Sequence, residues 1–291
     1  MSATLSCLAP AKVNRELRVG RLGPDGYHEV LSRIASIDLA DRLTAEPAET
    51  LEFSCDDPAV PAGEDNLIVK AARLLAARAG VPPRARLRLE KRVPMGGGLG
   101  GGSADAAVTL LLLARLWRVP DGVDALTPVA AELGSDVPFF LTGGEADVAG
   151  RGERVTAAAD AAERELVLLV PPFSISTAAV YRAYAGRGTL PSRLVVASGR
   201  SDQFFGPNDL ASAVQQVEPR MEEYVRSAQR ASLDFAISGS GSTIAMHGVT
   251  PEAFHSLADR HPEARLLRCR TLSRREYQRR TNPATPTGDL R

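Results

Sequence analysis

The chain has 291 residues, of which 44% are hydrophobic, and its 35 acidic residues balance 35 basic ones. This length suffices for two domains, and the balanced charge gives no overall field that would favour nucleic acid or an anionic membrane surface. No apolar run approaches the roughly 20 residues that span a bilayer. The three cysteines are isolated and outside any metal-binding spacing, which is typical of a cytoplasmic protein.

Two strands are predicted over residues 4–20, with a break at Pro10. In the second strand Lys12, Asn14, Glu16 and Arg18 fall on one face, and the other face is apolar except for Arg15. Only three of the 35 basic residues are lysines. A lysine on a polar strand face is therefore a candidate for chemistry that needs a compact ammonium group. The alternative is an ordinary strand lysine whose ammonium group reaches solvent.

A glycine-rich segment at residues 96–103 holds six glycines in eight positions. It follows an alternating, strand-like segment at 85–93 and precedes an Ala- and Leu-rich helix predicted over 104–117, with Ser103 as its N-cap. Glycines let backbone N–H groups approach an anion closely, and a helix N-terminus attracts negative charge. The segment is therefore interpreted as a phosphate-binding loop, and a flexible tether is the alternative.

This loop differs from the two commonest phosphate-binding motifs. A Walker loop would place lysine before the final serine, and here Gly102 precedes Ser103. A dinucleotide-binding fingerprint would be followed by a second strand with an acidic residue, and here the helix runs on instead. Any catalytic cation must come from elsewhere in the chain. Asp105 is either a contributor to a Mg²⁺ site or a carboxylate that favours the helix N-terminus.

A second acidic candidate, Asp136, stands on a loop that is predicted to lead into an apolar strand over residues 137–140. Asp136 is either a general base or a turn aspartate. A buried strand is predicted at 165–170, near the boundary of a second domain. From residue 276 onward the arginine-rich tail is predicted to be disordered.

Several motifs together resemble one enzyme family. They are Pro10–Asn14, Asp25–Glu29, Asp65–Ile68, Pro94–Ser103 and Leu133–Pro138. In this combination the chain resembles the GHMP kinases, most closely the branch that acts on a cytidine diphosphate-linked methylerythritol in non-mevalonate isoprenoid synthesis. The resemblance is clear over about residues 9–150 and thinner beyond. The chain departs from it at Arg15-Glu16, where apolar residues are usual, and Glu16 is expected on the cleft face, paired with Lys12 or Arg18.

The resemblance implies an α+β fold with an N-terminal domain like ribosomal protein S5 domain 2 and a ferredoxin-like C-terminal domain. The implied boundaries are 1–165, 166–275 and a tail at 276–291. It implies ATP and Mg²⁺ as cofactors, with the metal ligands unknown. It also implies a small-molecule acceptor, no nucleic-acid or membrane partner, and a monomer or weak homodimer in the cytoplasm.

The resemblance also assigns residues to roles. The implied catalytic pair is Lys12 and Asp136. The implied ATP-binding residues are Pro94, Met95, Gly96, Gly97, Gly98, Leu99, Gly100, Gly101, Gly102, Ser103 and Ala104. The implied acceptor-binding residues are Asn14, Tyr27, His28, Thr177, Tyr181, Gly239 and Ser240, with Tyr27, His28 and Tyr181 facing the cytosine.

Two alternatives remain at this point. One is another kinase of the same superfamily, with mevalonate, homoserine or a sugar as acceptor. The other is an RNA-binding protein with an S5-like domain and an arginine-rich tail. Tyr27 and His28 favour an acceptor that carries a base, because small acceptors have no base to stack on aromatic rings.

Overall fold

The structure is a computed structural model and describes residues 4–160, 162–184, 189–194 and 203–283. The strands are β1 (Leu5–Leu22), β2 (His28–Glu46), β3 (Leu51–Cys55), β4 (Ala85–Glu90), β5 (Glu145–Gly150), β6 (Arg154–Ala157), β7 (Glu165–Val170), β8 (Asp234–Ile237), β9 (Ile244–His247) and β10 (Arg265–Arg270). The helices are α1 (Leu67–Ala79), α2 (Gly101–Trp117), α3 (Val123–Leu133), α4 (Val137–Thr142), α5 (Thr177–Ala183), α6 (Ala211–Val217), α7 (Met221–Arg230), α8 (Pro251–Arg260) and α9 (Arg274–Thr281). Within these residues no helix is both long and apolar enough to cross a membrane.

The first sheet is built around β1 and β2, which form one long antiparallel pair. β2 also pairs with β4 through residues 42–46 and with β5 through residues 30–35, and β3 runs parallel to β4. Helices α1 to α4 supply apolar side chains to one core against this sheet. α2 is buried on most of its sides, which explains its composition of alanine, leucine and valine.

The second sheet has the order β10-β7-β9-β8, and all its pairs are antiparallel. Helices α6 and α7 pack apolar side chains against it. A third core cluster joins the two sheets, because Ala11 and Val13 of β1 share it with Leu166 and Leu168 of β7. The two halves of the chain are therefore held together by buried apolar surface. The domain boundary at residue 165 stays a prediction.

Two local predictions around the glycine-rich segment are wrong. The long helix begins at Gly101, since the N–H of Ala104 donates to the carbonyl of Gly100 at 2.9 Å. Ser103 therefore lies inside the first turn and is not the N-cap. The apolar run after Asp136 is the helix α4, not a strand. A short apolar run fits either structure, and proline in the first turn, here Pro138, favours the helix.

The prediction of a disordered tail from residue 276 is wrong for residues 276–283, and residues 284–291 lie outside the described part of the chain. α9 returns to the first sheet and inserts Tyr277 into its core, where the ring is fully buried. Ser273 caps the helix, and Glu276 pairs with two arginines that follow it. The prediction of disorder relied on the arginine-rich composition of the tail, and this composition gave no indication that Tyr277 would be buried.

We expect Tyr277→Ala to lower the free energy of unfolding by about 3–5 kcal/mol, because it removes a large buried aromatic ring. Tyr277→Phe keeps the ring but loses the hydroxyl bond to the Phe140 carbonyl at 2.6 Å. It should lower the free energy of unfolding by about 1–2 kcal/mol. Denaturant unfolding measures both values.

The matched control is Arg279→Ala, since the Arg279 side chain is 75% exposed. This variant should change the free energy of unfolding by no more than about 0.5 kcal/mol. If Tyr277→Ala were as mild as this control, α9 would not be docked in the core.

Candidate active site

A cleft of about 1790 Å³ runs along the glycine-rich segment and is lined by residues of both halves of the chain. All the site residues predicted from the sequence line this cleft except Ala104, which is buried inside α2. The β1 face that carries Lys12 forms one wall, the segment from Pro94 to Ser103 forms another, and Thr177 and Tyr181 close it from the second half. One cavity is therefore large enough for a nucleotide and a second substrate.

The carbonyl groups of the glycine-rich segment are fixed by hydrogen bonds from elsewhere in the protein. The carbonyl of Gly97 accepts from the N–H of Thr243 at 3.2 Å, that of Gly98 from the Ser238 hydroxyl at 2.9 Å, and that of Leu99 from the N–H of Lys12 at 3.0 Å. Segments from both halves of the chain thus hold the loop. Because three successive carbonyls are taken up by the protein, the loop conformation is set before a ligand binds.

The N-terminus of α2 offers backbone donors to the cleft. Within the described residues, the N–H groups of Gly101, Gly102 and Ser103 have no acceptor, as is usual for a first helical turn. All three residues line the cleft. Free N–H groups and the positive end of the helix dipole together favour an anionic group such as phosphate.

Lys12 is 4% exposed, and its ammonium group donates to Asn14 Oδ1 at 2.5 Å. The Asn14 amide is oriented in turn, because its Nδ2 donates to the Ser32 hydroxyl at 2.8 Å and that hydroxyl donates to the Glu16 carbonyl at 2.5 Å. Burial lowers the pKa of Lys12, and the nearby charge of Asp136 opposes this effect. The arrangement holds one ammonium group at the floor of the cleft in a fixed direction.

Asp136 lies directly before α4, in the N-cap position, but its side chain makes no capping hydrogen bond. It lies beside the turn between β5 and β6, since its Oδ1 is 3.7 Å from the position of a Cβ atom added at Gly152. Its charge acts on Lys12 and also on Tyr181. The carboxylate is therefore placed in the cleft between the phosphate-binding end and the aromatic end.

An aromatic group forms the other end of the cleft. The His28 ring lies 5.8 Å from the Tyr181 ring and 5.5 Å from the Tyr184 ring. His28 Nδ1 lies 2.9 Å from the Gly20 carbonyl, which can only accept, so this nitrogen is the donor and Nε2 is left for a ligand. Burial and the charge of Asp136 raise the pKa of Tyr181 to about 12, so its hydroxyl stays neutral near pH 7.

Tyr27 is 56% exposed at the cleft rim, with the Arg151 guanidinium 4.3 Å from its ring centre. The sequence prediction did not include Arg151 or Tyr184. Arg151 lies in a glycine turn that has no chemical motif of its own. Tyr184 follows Tyr181 by three positions, and this helical spacing is a signal that could have identified it.

A turn from the second half closes over Lys12. Asn208 donates from Nδ2 to the carbonyls of Ile237 at 2.8 Å and Gly239 at 2.7 Å. A Cβ atom at Gly239 would lie 3.4 Å from the Lys12 ammonium nitrogen. Ser240 on the same turn shares a hydrogen bond of 2.8 Å with the Thr177 hydroxyl. Glycine at 239 therefore lets the backbone approach the ammonium group.

Glu16 was expected on the cleft face, but it is buried and is not among the residues that line the cleft. A register shift lies between Asn14 and Glu16, and the Glu16 carboxylate pairs with Arg18 at 2.9 Å. Arg15 is buried, pairs with Glu145 and donates to the Phe204 carbonyl at 3.1 Å. The expected pairing with Arg18 is confirmed, and the expected position on the cleft face is wrong.

Alanine substitutions at two glycines of the loop should have different effects on the free energy of unfolding. Gly98 has a φ of +75°, and an added Cβ would lie 2.0 Å from the Ser238 carbonyl oxygen. At Gly102 the nearest atom would be Leu67 Cδ1 at 3.7 Å, an ordinary contact. We expect Gly98→Ala to lower the free energy of unfolding by at least about 2 kcal/mol.

Gly102→Ala should keep the free energy of unfolding within about 1 kcal/mol of the wild type, because alanine favours the helix. Chemical denaturation of both variants tests this difference. Equal effects of the two substitutions would show that the contact between Gly98 and Ser238 does not constrain the loop.

Comparison with known proteins supports a common family. Residues 66–144 match the model of the GHMP kinases N terminal domain. The chain is 42% identical over 255 residues to 4-diphosphocytidyl-2-C-methyl-D-erythritol kinase of Salinibacter ruber, covering 84% of this chain and 89% of the relative.

Solved structures agree with this match. A crystal structure of 4-(cytidine 5'-diphospho)-2C-methyl-D-erythritol kinase has a TM-score of 0.76 and 35% identity, over 91% of this chain and 98% of the other. Mevalonate kinase of Methanococcus jannaschii has a TM-score of 0.69 at 11% identity, over 94% of this chain and 99% of the other, and shows the fold alone. The predicted α+β GHMP kinase fold is confirmed, and the chain belongs to the 4-diphosphocytidyl-2-C-methyl-D-erythritol kinase family.

Proposed function

We propose that this protein transfers the γ-phosphoryl group of ATP to the 2-hydroxyl of 4-diphosphocytidyl-2-C-methyl-D-erythritol, a step of non-mevalonate isoprenoid synthesis. The observation that carries the proposal is the order of groups along one cleft. Free backbone donors lie at one end, Lys12 and Asp136 lie in the middle, and His28 with Tyr181 lies at the other. This order suits a triphosphate, a reacting hydroxyl and a pyrimidine base, respectively.

In the proposed reaction, Asp136 accepts the proton of the acceptor hydroxyl while that oxygen forms its bond to the γ-phosphorus. The bond from the γ-phosphorus to the bridging oxygen breaks at the same step, and ADP leaves with the electron pair. The Lys12 ammonium group stabilises the negative charge that develops on the transferring oxygens. The N–H groups of α2 hold the phosphates in line with the acceptor.

Mg²⁺ fits this site as an ion held mainly by phosphate and water oxygens, which is its usual mode in kinases. Among the described residues no group of three acidic, histidine or cysteine side chains could cage a metal. The Ser103 hydroxyl in the first turn of α2 is the protein oxygen we propose for it. Asp105 is a poor ligand, because its carboxylate is buried with the Lys91 ammonium group 3.3 Å away. When bound, the ion would neutralise phosphate charge.

The two alternative functions fit the structure less well. Mevalonate, homoserine and sugars have no base for the aromatic end of the cleft. The RNA-binding alternative relied on an exposed arginine tail, but Glu276 pairs with Arg279 and Arg280 in a docked helix. The proposal also includes a cytoplasmic location, consistent with three free thiols, and a monomeric or weakly dimeric state.

The direct test is Mg²⁺-dependent ADP release with a panel of acceptors: the cytidine-linked methylerythritol, mevalonate, homoserine and galactose. We expect strong turnover only with the first. Equal or better turnover of mevalonate or homoserine would contradict the proposed substrate. RNA binding that weakens with salt, in the absence of kinase activity, would favour the RNA-binding alternative.

Lys12→Met and Asp136→Asn test the proposed catalytic pair. Each should lower kcat by about 10²- to 10⁴-fold, the range for loss of a charge-stabilising group or a general base. The double variant should lose little more than the worse single variant, because the groups act on one transition state. Steady-state kinetics of the four proteins measures this coupling, and fully multiplicative losses would argue against a shared step.

The stability of Lys12→Met separates catalysis from folding. Because burial lowers the pKa of Lys12, the folded state disfavours the charged form, which is the form that lysine has in the unfolded chain at pH 7. This loss of folding free energy applies in full at pH values below the pKa that Lys12 has in the folded protein. It disappears at pH values above the ordinary pKa of lysine. We therefore expect the Tm of Lys12→Met at pH 7 to equal or exceed that of the wild type. A much lower Tm would assign Lys12 a structural role.

Tyr181→Ala should raise KM for the cytidine acceptor roughly 5- to 150-fold, equivalent to about 1–3 kcal/mol of lost stacking. Tyr181→Phe should be mild, because the ring provides the stacking surface. The KM for ATP should stay within about twofold in both variants, since Tyr181 lies at the aromatic end of the cleft. If Tyr181→Ala changed the KM for ATP and left the KM for the acceptor unchanged, the proposal that Tyr181 binds the cytosine would be contradicted.

A further inference from the structure

Three charged side chains lie buried behind the first turn of α2. The Lys91 ammonium group binds one carboxylate oxygen of Asp41 and lies 3.3 Å from Asp105 Oδ2. The side chains of Asp41, Lys91 and Asp105 are 0%, 7% and 4% exposed, respectively. They come from β2, from the segment after β4 and from α2, so one ammonium group connects three elements.

Asp41 also holds the chain that leads into the glycine-rich segment. Its Oδ1 accepts the N–H of Arg92 at 2.5 Å and the N–H of Val93 at 2.8 Å, while Oδ2 binds Lys91. Val93 directly precedes the loop that begins at Pro94. Three donors are therefore directed at one carboxylate, which fixes its position.

Lys91 lies against the start of α2. A Cβ atom added at Gly101 would be 3.0 Å from the Lys91 ammonium nitrogen and 3.0 Å from Val93 Cγ1. The same ammonium group thus binds Asp41, which holds the segment before the loop, and approaches Gly101, whose N–H group faces the cleft. A displacement of Lys91 would therefore move the proposed phosphate-binding donors.

Asp105 has a different environment from Asp41. Its Oδ2 faces Lys91, whereas its Oδ1 is buried and has no hydrogen-bond partner within the described residues. Asp105 therefore contacts Lys91, whereas only Asp41 binds the backbone N–H groups of the segment that leads into the loop.

We propose that Asp41, Lys91 and Asp105 form a buried strap that holds the phosphate-binding loop in shape, with Asp41 binding both Lys91 and the segment before the loop, and Asp105 contacting Lys91 from α2. The inference rests on the proposed function only in that the loop binds nucleotide. All three are positioning residues, because they act on the nucleotide through the loop and the first turn of α2.

The experiment compares Asp105→Asn, Asp41→Asn and the double variant Asp41→Asn/Lys91→Met with the wild type. ADP affinity is measured by calorimetry without acceptor, and folding by thermal melting. Asp105→Asn keeps the shape of the side chain and leaves the N–H groups of the segment before the loop bound to Asp41, so it should keep the Kd for ADP within about threefold of the wild type. Asp41→Asn weakens the carboxylate that holds Lys91 and the N–H groups of Arg92 and Val93, and it should raise the Kd at least about tenfold.

The double variant removes both charges, so it should fold even if Asp41→Asn alone does not. It should still bind ADP at least about tenfold more weakly, because the tie between Asp41, Lys91 and the loop is gone. In turnover assays the KM for ATP should rise while the KM for the acceptor stays unchanged. Lys70→Met, at an exposed lysine on α1, is the matched control and should behave like the wild type.

Two results would overturn the inference. One is a loss of ADP affinity in Asp105→Asn as large as in Asp41→Asn, which would show that the backbone contacts of Asp41 do not decide the shape of the loop. The other is unchanged ADP affinity in the folded double variant. ADP binding is measured without acceptor, so it tests the strap independently of the substrate. Inactivity of the wild type toward the cytidine substrate would contradict the proposed function but not the proposal of a strap. Normal turnover with unchanged affinity in the double variant would contradict the strap alone.

Discussion

The backbone hydrogen bonds of the glycine-rich segment constrain the rest of the site. The carbonyls of Gly97, Gly98 and Leu99 accept hydrogen bonds from Thr243, Ser238 and Lys12, and so their directions are set by the protein. Two of these donors belong to the second half of the chain and one to β1. The loop therefore takes its shape only when both halves are packed together. This coupling explains why the core between the two sheets matters for binding as well as for stability.

The hydrogen bonds of the glycine-rich segment also fix the position of the Lys12 ammonium group. The N–H group of Lys12 holds the loop while its ammonium group is turned to Asn14 in the cleft. A buried ammonium is costly in a folded protein, and here its partners are one amide oxygen and the field of Asp136. Such an unfavourable group suits an enzyme that must stabilise charge only when substrate phosphates are present. The buried ammonium group of Lys12 therefore lowers the stability of the folded protein at the position where the proposed chemistry occurs.

Much of this site could be predicted from the sequence, because its signals are local. The glycine spacing, the alternation around Lys12 and the pair Tyr27-His28 each lie within a few residues, and the structure brings them to one cleft. Their roles in binding and catalysis remain proposals. The sequence did not indicate the strap around Lys91, because Asp41 and Asp105 lie 50 and 14 residues from it along the chain. Long-range ion pairs have no local pattern.

The incorrect predictions have a similar physical origin. Pro138 decided between helix and strand in a run too short for periodicity, and Tyr277 anchored a tail whose composition suggested disorder. In both cases one residue outweighed the average character of its segment. Composition reports the mean tendency of a segment, whereas docking depends on whether a single side chain finds a buried place.

A crystal structure with a non-hydrolysable ATP analogue and the cytidine acceptor would test the central claim most directly. We predict phosphate oxygens within hydrogen-bonding distance of the N–H groups of Gly101, Gly102 and Ser103. The acceptor 2-hydroxyl should lie between the γ-phosphate and Asp136, and the cytosine should lie against Tyr181 and His28. Phosphates bound away from the N-terminus of α2, or a hydroxyl out of reach of Asp136, would contradict the account.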